Sequence, residues 1–181
     1  MSTLWAGESR ARRGVDFGVF RGPHAANIRH HQPPRLERSA VAAGRDEGLI
    51  IGSDQVAECD GEPVGKPGTH DRAVTQLERL SGRTVVFHTG VALVNAATGR
   101  AQVAMVDVAS TYRPLSIDEI EHYLRRETPY DCAGSVRSEG LGIALFERIA
   151  SDDPSALVGL PLITVARMLR EEGVDVLVGA R

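Results

Sequence analysis

The stretch Leu49-Ile50-Ile51-Gly52-Ser53-Asp54-Gln55-Val56 decides how the rest of the chain is read. A short apolar run, Leu49 to Ile51, meets a small-residue turn at Gly52-Ser53 and delivers a carboxylate, Asp54, at the strand's end. Open α/β sheets place ligands at such ends, because side chains there leave the sheet and enter a crevice. Downstream, Gly61-Glu62-Pro63-Val64-Gly65-Lys66-Pro67 brings up a cation on a loop whose glycines and prolines fix its backbone. Lys66 is the single lysine in a chain with 21 Lys and Arg residues. A carboxylate and a compact ammonium on neighbouring loops suit a phosphate substrate with a bound metal, the lysine acting as a point charge on oxygen. A plain β-turn-β connection with surface charges fits the same spacing.

At 181 residues the chain fits one domain. Aromatics make up only 4%, so Leu, Val, Ile and Ala must fill the core. No apolar run approaches the roughly 20 residues of a membrane span, and the N-terminal residues lack the apolar centre of a secretory signal. Cys59 and Cys132 form neither metal spacing nor a disulfide framework. A cytoplasmic protein with spectator thiols is expected. Charge is uneven: residues 1–45 hold eight arginines and three acidic residues, about +5, which leaves about −8 for the remainder. An arginine-rich arm of this kind is one route to nucleic acid. It lacks interleaved aromatics and a recognisable motif, so nucleic-acid binding is not expected.

Residues 1–45 are interrupted by glycine and proline throughout and form a separate N-terminal segment ahead of a domain spanning 46–181. From Gly48 onward the pattern sharpens. Thr69 caps a helix running to about Leu80, with Ala73, Val74, Leu77 and Leu80 on one stripe, and Ser81-Gly82 ends it. Thr84 to Asn95 and Ala101 to Tyr112 read as strands of an antiparallel hairpin turning at Ala96-Ala97-Thr98-Gly99. Ser116-Ile117-Asp118-Glu119 is a capping box. It opens a helix with Ile117, Ile120, Tyr123 and Leu124 on its apolar face, ending near Arg126. A glycine-punctuated polar passage, Asp131 to Gly142, precedes a strand over Ile143 to Ile149. Pro161 opens a last helix with Leu162, Val165, Ala166 and Leu169 inward, stopped by Gly173. The mixture predicts an α/β single domain with a mixed, elongated sheet flanked by helices.

From Leu49 to about Leu177 the chain resembles the Maf family of nucleotide pyrophosphatases. The resemblance rests on Ile50 to Val56, Gly65-Lys66-Pro67, Leu80-Ser81-Gly82, Thr89-Gly90, Cys132-Ala133-Gly134-Ser135 and Leu157-Val158-Gly159-Leu160-Pro161-Leu162. Gln55 after the aspartate and Ser138-Glu139-Gly140 in the later loop resemble the YceF subfamily. That branch implies hydrolysis of N7-methyl-GTP, or a related modified nucleoside triphosphate, to the monophosphate and pyrophosphate. The branch directed at dTTP and UTP instead tends to carry Thr after the aspartate and Gln in the later loop.

The resemblance implies that Asp54 is the catalytic general base and a metal ligand, and that Lys66 meets the phosphates. It implies further that Gln55 and Glu139 bear on base selectivity, that the cofactor is a divalent cation (Mg²⁺ or Mn²⁺), and that the assembly is frequently a homodimer. The family's N-terminal Ser-x-Ser-Pro-x-Arg-Arg loop is matched by Ser9, Arg12 and Arg13 at the motif spacing, with Arg10 in place of the proline and one serine not kept. That departure sets up the competing expectation, a non-catalytic Maf-fold nucleotide-binding protein with a degenerate phosphate loop. An RNA-binding module built on the arginine arm is a third.

Overall fold

The structure, a computed structural model, describes residues 47–180. Ser9, Arg12 and Arg13 lie outside the described residues, as does the N-terminal segment assigned to 1–45. The element order is β1 (Leu49–Cys59), β2 (Glu62–Val64), α1 (His70–Leu80), β3 (Thr84–Asn95), β4 (Ala101–Tyr112), α2 (Ile117–Glu127), β5 (Phe146–Ala150), α3 (Leu162–Glu171) and a two-stranded ribbon, β6 (Val174–Asp175) with β7 (Gly179–Ala180). Three 3-10 turns, Ala133–Ser135, Leu141–Leu145 and Pro154–Val158, fill the connections.

The main sheet has the order β2-β1-β3-β4-β5, and every pairing among the described residues is antiparallel. The α/β class, the elongated sheet and the β3–β4 hairpin are as the sequence led one to expect, with the hairpin's Gly99 at a φ of 71°. The expected turn at Gly52-Ser53 is not there. β1 runs on through eleven residues, and Gly52, Ser53 and Asp54 pair with Ala92, Val91 and Gly90 of β3. Gly52 and Ser53 thus pair with Ala92 and Val91 and pack within the sheet. Asp54 therefore projects from the middle of a strand, not from its end.

Side chains alternate along a strand, so two faces must be covered. On one face lie two separate apolar clusters. The larger joins Ala57, Val85, Phe87, Val108 and Tyr112 of the sheet to Ala73, Leu77 and Leu80 of α1 and to Ile120, Tyr123 and Leu124 of α2. The second joins Leu49, Ile51, Val91 and Leu93 to Val165, Met168 and Leu169 of α3. The helices thus cover opposite ends of the same long face.

Helix ends follow local chemistry. Ser116 Oγ accepts from the Glu119 amide at 3.3 Å while Glu119 Oε2 accepts from the Ser116 amide at 2.8 Å, completing the capping box. The Glu119 carboxyl is accordingly held below its usual range, first by the Ser116 backbone bond and then by Arg113. α3 begins after Pro161, which has no capping side chain, and the service comes from outside the helix. Asp153 Oδ2 accepts from the Thr164 amide at 2.9 Å, and Ser155 Oγ accepts from the Leu162 amide at 2.7 Å. The stripe positions Ile117 and Leu162 are about half exposed, at 49% and 56%. Each is the first residue of its helix. The strand expected from Ile143 begins only at Phe146, because Leu141–Leu145 coils into a 3-10 turn.

Ser116→Ala removes the capping acceptor and is expected to cost about 1 kcal/mol. Urea unfolding should show a lower midpoint at unchanged slope; an unchanged midpoint would mean Glu119 and Arg113 hold the helix start without the serine.

Candidate active site

β2 pairs only with Ala57, Glu58 and Cys59 and then stops at Val64. Beyond that point the outer edge of β1 is not covered by β2, and a cleft of about 390 Å³ opens there. Its walls are residues 53–57 of β1, residues 63–66 at the exit of β2, the 131–139 passage, and residues 157–159, with Phe87 at its base. Asp54, Gln55, Lys66 and Glu139, which the sequence singles out separately, all line this one cleft.

Asp54 is partly buried and its Oδ1 accepts from the Gln55 amide at 3.0 Å. Lys66 is exposed at the mouth. The loop that carries it is fixed by its flanks: Gly65 O accepts from Gln76 Nε2 at 3.0 Å, and the Gly68 amide donates to Tyr130 O at 2.9 Å. Pro67 is buried, so Lys66 stands out from an anchored backbone.

Gln55 sits differently from Asp54, because neighbours on a strand point to opposite faces. Its Nε2 donates to Ala156 O at 2.8 Å and to Thr89 Oγ1 at 3.0 Å, with Leu157 O at 3.3 Å. Thr89 Oγ1 donates to the same Ala156 carbonyl at 3.0 Å. Ser53 Oγ lies 2.7 Å from Gly159 O and 2.9 Å from Gly90 O. These three side chains hold the 154–159 turn, and hence the wall made by Leu157, Val158 and Gly159. Ser53 and Thr89 were not picked out as site residues by the sequence reading, although both fall inside motifs that it quoted.

Glu139 is exposed on a tight turn. Arg137 O accepts from the Gly140 amide at 3.2 Å and the Gly142 amide at 3.1 Å, and Glu127 Oε1 accepts from the Leu141 amide at 2.8 Å. A Cβ on Gly142 would approach Arg137 O to 2.3 Å, and one on Gly140 would meet Glu127 Oε1 at 2.7 Å. Glycine is required at 142 by that close backbone approach. Cys132 also lines the cleft, but burial and then the adjacent Asp131 raise its thiol pKa, which keeps it protonated and unsuited to nucleophilic attack. Both cysteines are free thiols.

No group of three or more His, Cys, Asp and Glu side chains is arranged to hold a metal among the described residues. The cleft nevertheless offers hard carboxylate oxygens from Asp54, Asp131 and Glu139. Mg²⁺ is commonly held by one or two carboxylates together with substrate phosphates rather than by an all-protein cage. The donor set fits such a shared site and does not fit a resident structural metal.

The strand-edge cleft thus combines carboxylates, one ammonium and a glycine-built loop, groups suited to a metal-bound phosphate ligand. Comparison with known proteins agrees. The profile of the Maf-like protein family matches residues 27–172, and the chain belongs to that family. A 7-methyl-GTP pyrophosphatase of Cupriavidus metallidurans is 53% identical over 139 residues, covering 77% of this chain and 70% of the relative. One from Albidiferax ferrireducens is 56% identical over 138 residues, covering 76% and 69%. One from Thiobacillus denitrificans is 51% identical over 142 residues, covering 78% and 71%. No helix among the described residues is long and apolar enough to cross a membrane.

Gly142→Ala should loosen the Glu139 turn without touching the sheet. Hydrogen exchange is expected to speed up across 138–142 while β1 and β3 stay protected; an unaltered turn would mean the loop absorbs the Cβ by a rigid shift.

Proposed function

We propose that the protein hydrolyses N7-methyl-GTP, or a closely related modified nucleoside triphosphate, to the monophosphate and pyrophosphate. The observation that carries this reading is the cleft shared by Asp54, Lys66 and Glu139, in a chain that is 53% and 56% identical, over 77% and 76% of its length, to relatives named for that activity.

In this reading water attacks the α-phosphorus, the bond from that phosphorus to the bridging oxygen breaks, and pyrophosphate leaves. Asp54 takes the proton from the attacking water as general base. Lys66 places its ammonium against the phosphate oxygens, where charge grows on the leaving group. Asp54 also supplies a hard oxygen ligand for Mg²⁺ or Mn²⁺, and such an ion when bound offsets the charge of the triphosphate. The charge balance of the cleft supports this arrangement. Three carboxylates and one ammonium would repel a bare triphosphate, so a divalent cation is needed on that side. Glu139 accepts hydrogen bonds from the guanine N1–H and amino group, and N7-methylation makes the base cationic, which a carboxylate favours further.

Residues 46–181 serve as the catalytic domain, with Ser9, Arg12 and Arg13 as additional phosphate contacts; the family profile matches from residue 27 onward, so these three rest on the motif spacing alone. Free thiols suit a reducing, cytoplasmic setting. A homodimer is the assembly we expect, with the nucleotide as ligand and no role for nucleic acid.

The test is pyrophosphate release from N7-methyl-GTP against GTP, dTTP and UTP. Chelation of divalent metal should abolish it, and Asp54→Asn should lower kcat by roughly 10²- to 10⁴-fold. Release that survives both would remove Asp54 and the metal from the reaction. No release from any nucleotide by the folded protein would favour the binding-only alternative.

Glu139→Gln should narrow the preference for N7-methyl-GTP over GTP by about tenfold, which is about 1.4 kcal/mol. Equal losses on every nucleotide would assign Glu139 to loop structure instead.

A further inference from the structure

We propose that Gln76, on α1 and outside the cleft wall, is a positioning residue that couples the Lys66 loop to the Glu139 loop. The proposal rests on the function assigned above and adds a residue to it.

The side-chain amide of Gln76 bridges the two segments. Nε2 donates to Gly65 O at 3.0 Å, immediately before Lys66, and Oε1 accepts from Ser135 Oγ, four residues before Glu139. The amide orientation is fixed by its partners, because a carbonyl only accepts and the amide oxygen cannot face it. A weaker backbone contact runs alongside, from the Gly134 amide to the same Gly65 carbonyl at 3.4 Å.

Ser135 is where such support is needed. It is fully buried, and its φ of 54° places a non-glycine residue in the left-handed region. A backbone held there persists only when its surroundings over-determine it. Its predecessor Gly134, at φ 67°, is wedged against Tyr112 Oη and Phe87, with Tyr112 Oη donating to Gly134 O at 3.2 Å. Gln76 is the side-chain partner of the Ser135 hydroxyl. Loss of that partner leaves a buried hydroxyl unsatisfied and the left-handed turn without its tie to α1. Lys66 and Glu139 address opposite ends of the proposed nucleotide, the phosphates and the base. One helical glutamine thereby sets the distance over which the substrate is measured.

The experiment uses the full chain with Ser135→Ala, Gln76→Met and the double variant. Hydrogen exchange is read first, because it does not require activity. Ser135→Ala is expected to speed exchange in Lys66–Gly68 as well as in 132–140, although the Ser135 side chain does not reach the Lys66 loop itself. The double variant should match the larger single effect instead of summing them. Exchange changes in Ser135→Ala confined to 132–140 would overturn the proposal, and that variant alone decides the matter if Gln76→Met does not fold. In steady state, Gln76→Met should lower kcat on N7-methyl-GTP by about tenfold and reduce its preference over GTP, as expected for misplacement of reacting groups. A variant with a lower unfolding midpoint but unchanged kcat and unchanged preference would make Gln76 merely structural. A wild-type protein that releases no pyrophosphate would overturn the assigned function while leaving the exchange result to judge the coupling.

Discussion

The hydrogen bonds from Ser53, Gln55 and Thr89 to the carbonyls of Ala156, Leu157 and Gly159 are the constraint around which the site is arranged. These polar side chains occupy the core face of β1 and β3, and Ser53 and Thr89 are fully buried there. A buried hydroxyl or amide without a partner costs a good part of the stability of a small domain. Something carrying carbonyl oxygens must therefore lie across that strip. The 154–159 turn does so, and its departure would take a bond from each of the three side chains, leaving Ser53 with Gly90 O and Gln55 with Thr89 Oγ1. Its position fixes one wall of the cleft.

The same strip explains why the sheet's apolar face is divided. Above it, toward Cys59, the large cluster gathers α1 and α2; below it, toward Leu49, α3 closes the smaller one. A continuous apolar face would have drawn the helices together over the middle of β1. The polar interval keeps them apart, and β2 stops after three residues, so the gap opens at the strand's edge. Asp153 and Ser155 then tie the same turn to the start of α3, so one short segment serves the sheet, the cleft and a helix end.

Much of this was legible in the sequence. The capping box at Ser116, the two twelve-residue strands of the hairpin, the glycine stops at Gly82 and Gly173 and the convergence of Asp54, Lys66 and Glu139 all follow from local chemistry or from motif order. The turn read at Gly52-Ser53 did not appear. Small residues mark a turn only when nothing pairs with them, and the pairing partners Ala92 and Val91 lie about forty residues downstream, beyond any local pattern. The 3-10 turn at Leu141–Leu145 was missed for a related reason. Its Leu-Gly-Ile-Ala-Leu sequence is apolar enough for a strand, but the Gly142 amide turns back to Arg137 O at 3.1 Å, a contact that no local pattern signals. Ser53 and Thr89 carry no chemical signature of their own, since a lone hydroxyl on a strand looks the same whether it holds a wall or meets water.

The resemblance ties Gln55 to base selectivity, and its hydrogen bonds limit how such a role could work, because its donor is already engaged. The amide nitrogen has two protons, and three protein oxygens, Ala156 O, Thr89 Oγ1 and Leu157 O, already lie within 3.3 Å of it. No donor remains for a ligand. What Gln55 presents to the cleft is limited to its carbonyl oxygen and its stem, while its amide settles where Leu157 and Val158 stand. A shorter side chain at this position cannot span the same gap to the turn, and a threonine has one hydroxyl proton in place of two amide protons. Exchanging glutamine for threonine would therefore move the wall as well as change the surface it displays. In the subfamily resemblance, the residue after the aspartate and the residue in the later loop differ together between branches. Both positions line the same cleft, so a shift of the wall that Gln55 holds changes the space left beside Glu139, which is a physical route by which the two could vary together.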